Sequence, residues 1–194
     1  MEKKLLDYFH RLMPLSDEER AAIAATINVQ TYKKGTILLK EGQISNAAYF
    51  VLEGCVRQYY ITENGDEVTS NFYLPEQWVT NIQSFRNQNP ANYYVSCATN
   101  VALVVGNREK EEFLYKNFPR LETVSRLVME QVFAEQHEFL ANYLTSSPEQ
   151  RYARLIAHNS ELLQAVPQHQ IASYIGVKPE SLSRIRKRMA EKKS

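Results

Sequence analysis

The sequence predicts an α+β fold in which helices flank a β-rich middle, and three observations carry that prediction. The hydrophobic period is helical to about Val29, close to two from Tyr32 to about Val105, and helical again from Pro119. Within the period-two stretch, Asn64-Gly65 lies between two strand-like runs, which is the strongest short hairpin signal. The chain has 194 residues and a net charge of only +1, yet residues 181–194 hold six Lys or Arg and one Glu.

The elements follow in order. Ser16 and Glu19 form a capping box, with Ile23 and Ile27 at helical spacing behind it, so the first stretch reads as helix. Strand-like runs occupy Gly35 to Gly42, Ala48 to Gly54, Val56 to Ile61, Glu67 to Leu74, Tyr93 to Ala98 and Val101 to Val105. Short strands at regular spacing argue for an antiparallel sandwich or barrel, with the tyrosines as strand packing. Pro119 then opens a long helix that ends near Leu144. Leu121, Val124, Val128 and Val132 form one stripe on it, and Leu127, Phe133 and Leu140 widen the apolar surface. So broad a surface needs partners on two sides: the chain's own barrel, and the same helix of a second subunit. Ser147 and Pro148 are a helix-start signal and mark the main boundary. Two or three short helices follow. The expected domains are residues 1–117, 118–145 and 146–194.

Composition narrows the function. A 44% hydrophobic and 23% charged chain is ordinary for a globular protein. No apolar run approaches the ~20 residues that span a bilayer, and the first residues lack a signal-peptide pattern. Cys55 and Cys97 form no paired motif, so a reducing cytoplasm is expected. Residues 141–194 hold nine basic and four acidic side chains, leaving fourteen and eighteen for the rest. This asymmetry suggests a nucleic-acid-facing module joined to something else.

The tail has the form of a helix-turn-helix between Gln168 and Met189, with Gly176 ending the first helix. Ile171, Ala172, Ile175, Val177, Leu182, Ile185 and Met189 supply the inner face. The opposite face of the second helix shows Glu180, Ser181, Arg184, Lys187 and Arg188. A merely solvated tail needs no apolar stripe in phase with its charges. In a recognition helix the first residues meet base edges and later cations meet phosphates. Lys192 and Lys193 are expected to add only sequence-independent affinity.

Together these features resemble the Crp/Fnr family of bacterial transcription regulators. The resemblance rests on Gly35 and Gly42 with the Tyr49–Gly54 run, on Pro148 to Arg151, and on Ile171-Ala172, Gly176 and Glu180 to Ile185. It implies a jelly-roll (double-stranded β-helix) sensor domain of the cyclic-nucleotide-binding type, a dimerisation helix and a DNA-binding domain. Glu180 and Arg184 match the family's base-reading positions, and Ser181 matches a position near DNA. Pro179 stands where an Arg is common in the family. The family's β-hairpin wing has no residues after the second helix here, so a wingless or truncated helix-turn-helix is expected. The implied partners are double-stranded DNA, a second copy of the chain, RNA polymerase and an unidentified small-molecule effector. No membrane, cofactor or metal is implied.

Nucleotide-binding members use a Gly-Glu pair for the ribose and an Arg-Ser/Thr pair for the cyclic phosphate. Here Thr80 and Asn81 stand at the first pair, and Ala91 and Asn92 at the second. Between Thr69 and Gly106 the only cation is Arg86 and the only carboxylate is Glu76. Cyclic AMP binding is therefore not expected. Trp78, and Gln136 and His137 on the long helix, complete the set that would line a pocket for another ligand. Two distant cysteines cannot hold an iron–sulfur cluster, which needs about four thiolates. A small-molecule sensor acting through a protein partner is the alternative. An enzyme ranks last, because no metal cluster, nucleophile motif or phosphate loop is present.

Overall fold

The computed structural model describes residues 2–191. Lys192 and Lys193 lie outside the described residues. The helical start is two helices, not one: α1 (Glu2–Leu12) and α2 (Asp17–Thr26). Pro14 lies between them, where its missing amide hydrogen and fixed backbone angle favour a break. The capping box forms: the Glu19 amide donates to Ser16 Oγ and the Ser16 amide to the Glu19 carboxylate.

The strands are β1 (Val29–Tyr32), β2 (Ile37–Leu39), β3 (Ala48–Glu53), β4 (Val56–Ile61), β5 (Glu67–Tyr73) and β6 (Trp78–Val79). After the short helix α3 (Ile82–Asn87) come β7 (Tyr94–Cys97) and β8 (Val101–Gly106). They build two antiparallel sheets, ordered β1-β8-β3-β6 and β2-β7-β4-β5. The predicted hairpin is β4–β5, where Ile61 faces Glu67 and Gly65 takes φ +84° in the turn. Alternation along β3 divides the core. Val51 packs with Leu39, Val56, Val95 and Leu103 between the sheets. Phe50 and Leu52 face outward against Leu5 and Tyr8 of α1.

Helix α4 (Arg108–Asn117), capped by Asn107, precedes α5 (Arg120–Thr145). Leu121, Val124 and Val128 of α5 are buried. Val128 packs on the outer face of the first sheet, and Leu121 and Val124 pack with α1 and α2 residues. The remaining helices are α6 (Pro148–His158), α7 (Leu162–Ala165), α8 (Gln168–Tyr174) and α9 (Pro179–Glu191). Their apolar cluster contains Leu155, Ile171, Leu182 and Ile185, and it also takes in Phe72 of β5 with Cys55 and Ala98, which flank β4 and β7. One core therefore joins the C-terminal helices to the sandwich. Burial pushes the Cys55 thiol up to about 12 and that of Cys97 up to about 11. Both are protonated at neutral pH, which leaves little reactive thiolate.

No helix among the described residues is long and apolar enough to cross a membrane.

Candidate nucleic-acid interface

The helix-turn-helix is set by its turn. The Val177 amide donates to the Ala172 carbonyl (2.9 Å) and the Gly176 amide to the Ser173 carbonyl (3.0 Å). This is the paired closure of a left-handed helix end, and Gly176 supplies the required φ of +75°. A Cβ at Gly176 would stand 2.3 Å from the Tyr143 hydroxyl, so the turn also presses against the end of α5.

Arg151 on α6 fastens that contact. Its guanidinium lies over the Tyr143 ring, 4.3 Å from the centroid. It donates to the carbonyls of Ile175 (2.9 Å), Tyr143 (2.9 Å) and Ser146 (2.6 Å). These carbonyls belong to helix ends that lack further helical partners. One side chain thus ties α5, α6 and the turn together.

A second attachment runs to the sandwich. β5 is an edge strand, and the Thr69 amide donates to Ser173 Oγ of α8 at 2.8 Å. The same hydroxyl donates to the Glu67 carbonyl at 3.3 Å. Tyr174 meets Phe72 edge-on and stacks on Phe139 of α5, with ring centroids 5.2 and 5.7 Å apart. Beneath this edge, buried Arg57 donates to Thr69 Oγ1 (2.8 Å), pairs with Glu67 and covers the Tyr59 ring. Ser173→Ala would leave the Thr69 amide without this acceptor on a buried residue, a loss of about 1–3 kcal/mol. The denaturation midpoint should fall accordingly, with an unchanged denaturant slope.

Leu182 and Ile185 hold α9 from beneath, both buried. Glu180, Arg184, Lys187 and Arg188 are exposed on its other side, and Ser181 is half-buried. Arg184 folds back over the first turn: Nε donates to the Glu180 carbonyl (3.4 Å) and Nη2 to Ser181 Oγ (3.3 Å). Ser181, Arg184, Lys187 and Arg188 line one concavity of about 740 Å³ with Ser147 and Glu149 of α6. The five tail residues singled out by sequence therefore share one helix, and four of them share this groove.

The eight residues named for a ligand pocket lie in several different settings. Trp78 stacks on Phe9 of α1 and tilts against Phe50. The Thr80 carbonyl accepts from the Tyr93 hydroxyl (3.3 Å). Asn81 is buried and caps α3, accepting from the Ser84 amide (3.0 Å). Arg86 pairs with Glu111 of α4 (2.8 Å). Ala91 is buried in the core between the sheets, while Asn92, Gln136 and His137 are exposed. Among the described residues, no three or more His, Cys, Asp or Glu side chains gather as a metal site.

Arg151, Ser173 and Tyr143 gained no role from sequence reasoning. Arg151 was legible only as part of a motif. The carbonyls it serves lie up to 24 residues away, and Ser173 meets β5 across more than 100 positions.

Comparison with known proteins agrees with this architecture. Residues 29–117 match the cyclic nucleotide-binding domain family. The chain is 21% identical over 164 residues to the transcriptional activator protein Anr of Pseudomonas protegens. That match covers 79% of this chain and 66% of the relative, just under two thirds of its length. Among solved structures, the c-di-GMP responsive global regulator CLP of Xanthomonas campestris superposes with a TM-score of 0.70 at 14% identity, covering 91% of this chain and 93% of that one. A putative transcriptional regulator of the crp/fnr family from Eubacterium rectale gives 0.70 at 16% identity, covering 95% and 88%. At these identities the two structures speak for the fold.

Proposed function

We propose that the chain is a homodimeric, sequence-specific DNA-binding regulator of the Crp/Fnr type whose sensor domain does not bind cyclic AMP, a reading supported by its match to the cyclic nucleotide-binding domain family and its likeness to a transcriptional activator. The observation that carries the reading is α9. It presents Glu180, Arg184, Lys187 and Arg188 outward while Leu182 and Ile185 fix its inner face. Arg184 grips guanine O6 and N7, Glu180 accepts from cytosine N4, and Ser181 supports the first turn at the DNA. Lys187 and Arg188 contact phosphates and carry no base preference. Arg184→Ala should cost about 1–3 kcal/mol in operator affinity and relax preference at one base pair, read by titrating a panel of single-base operator variants. Unchanged selectivity across the panel would remove Arg184 from base readout.

The dimer forms through α5. Met129, Phe133, Leu140 and Leu144 are exposed on one side of this helix, with Gln136 among them and His137 beside them. That stripe turns away from the buried Leu121, Val124 and Val128, and a two-fold contact pairs it with itself.

Three facts support the absence of cyclic nucleotide binding. The ribose-binding Glu is replaced by Asn81, which is already spent as a helix cap. The phosphate-binding Arg is replaced by a buried Ala91. Arg86 is paired with Glu111. A cyclic phosphate would lose its charge-assisted bond. Calorimetry with cyclic AMP or cyclic GMP should show dissociation constants weaker than about 1 mM. Micromolar binding of either would overturn this part. The division into sensor, dimerisation helix and DNA-binding domain at residues 117 and 145 belongs to the same proposal.

A further inference from the structure

The groove beside the reading face holds a carboxylate of the protein's own. Glu149 occupies the first turn of α6, next to the cap residue Ser147, where the helix end favours an anion. Its Oε2 lies 3.6 Å from Arg188 Nη2. The Arg188 side chain is 60% exposed and that of Glu149 31%. Both residues line the concavity that contains Ser181, Arg184 and Lys187. A cation proposed to meet a phosphate thus already faces an anion, and that anion sits in the groove the DNA backbone would enter.

We propose that Glu149 is a specificity-determining residue, an internal competitor that holds Arg188 from DNA phosphate and so lowers sequence-independent binding relative to operator binding. The inference rests on the DNA-binding reading above. Phosphate contact releases counterions and is the same on every sequence. A carboxylate that holds one phosphate-binding cation therefore weakens binding wherever that cation stays on it. On the operator, base contacts by Arg184 and Glu180 hold the helix in place and help draw Arg188 over to the backbone. On other DNA nothing does.

The test measures binding of the full chain to its selected operator and to an unrelated duplex across a salt series. It compares the native protein with Glu149→Gln, Arg188→Gln and the double variant. Glu149→Gln should tighten the unrelated duplex about 3–10-fold at low salt and steepen its salt slope by up to about 0.9. The ratio of operator to unrelated affinity should fall. Arg188→Gln should abolish these gains, so that adding Glu149→Gln changes little. Equal gains in both backgrounds would mean that Glu149 acts by general repulsion, and an unchanged unrelated-duplex affinity would mean that it does not compete; either overturns the inference while DNA binding stands. If no variant binds DNA, the reading itself fails, and the inference with it.

Discussion

Replacing Phe133 and Leu140 together by Glu should separate the protein into monomers that no longer hold a two-fold operator. These side chains are 72% and 54% exposed on α5, and Leu144 beside them is 74% exposed. A Phe or Leu is worth about 1.5–3 kcal/mol when buried, and a two-fold contact counts each residue twice. Losing four such burials removes about 6 kcal/mol or more, which is roughly a 10⁴-fold weaker dimer. Four added carboxylates repel as well. The fold should survive, because the buried stripe of Leu121, Val124 and Val128 is untouched and exposed substitutions usually change stability by about 0.5 kcal/mol or less. Sedimentation should give a dimer for the native chain and a monomer of unchanged helical content for the variant. A variant that stays dimeric would place the interface elsewhere.

Leu182→Ala should be among the most damaging single changes in the C-terminal helices. Leu182 is 1% exposed and packs in the cluster of Ile171, Ile175 and Ile185. Truncating such a Leu costs about 2–5 kcal/mol in transfer and cavity terms. That is a large part of a typical domain's stability of about 5–15 kcal/mol. Because the same cluster includes Phe72 of β5 and Cys55 beside β4, the loss should also loosen the seating of α8 and α9 on the sandwich. Chemical denaturation should show it as a lower midpoint. Arg184→Ala, an exposed change, should leave the midpoint almost unmoved while altering base preference. Reversal of that pattern, with Leu182→Ala stable and Arg184→Ala unfolding, would contradict the assignment of inner and outer faces.

Much of this was legible because local patterns carry it. The period change marked the β-rich middle, the Asn64-Gly65 pair marked the β4–β5 turn, and the stripe of Leu182, Ile185 and Met189 fixed which side of α9 faces inward. Other features had weak local signals. α4 buries no residue, so it shows no apolar stripe. α3 has only six residues and depends on the Asn81 cap. The break between α1 and α2 needed Pro14 to outweigh continuous helical patterning. Long-range contacts left no trace in the sequence: Ser173 on the edge of β5, Arg151 on three carbonyls, and Glu149 beside Arg188. A hydroxyl or a guanidinium reads the same whatever its distant partner. The pocket expectation relied on aligned positions, and the structural contacts of several of those residues were not legible: Asn81 as a cap, Ala91 in the core and Trp78 against α1.

Selection of bound duplexes from a random pool, using the full chain, tests the DNA-reading proposal most directly. The enriched sequences should carry two inverted half-sites centred about 34 Å apart, each with a strongly preferred G·C pair that weakens when the selection is repeated with Arg184→Ala. A pool that remains random after repeated rounds at moderate salt would contradict sequence-specific DNA binding.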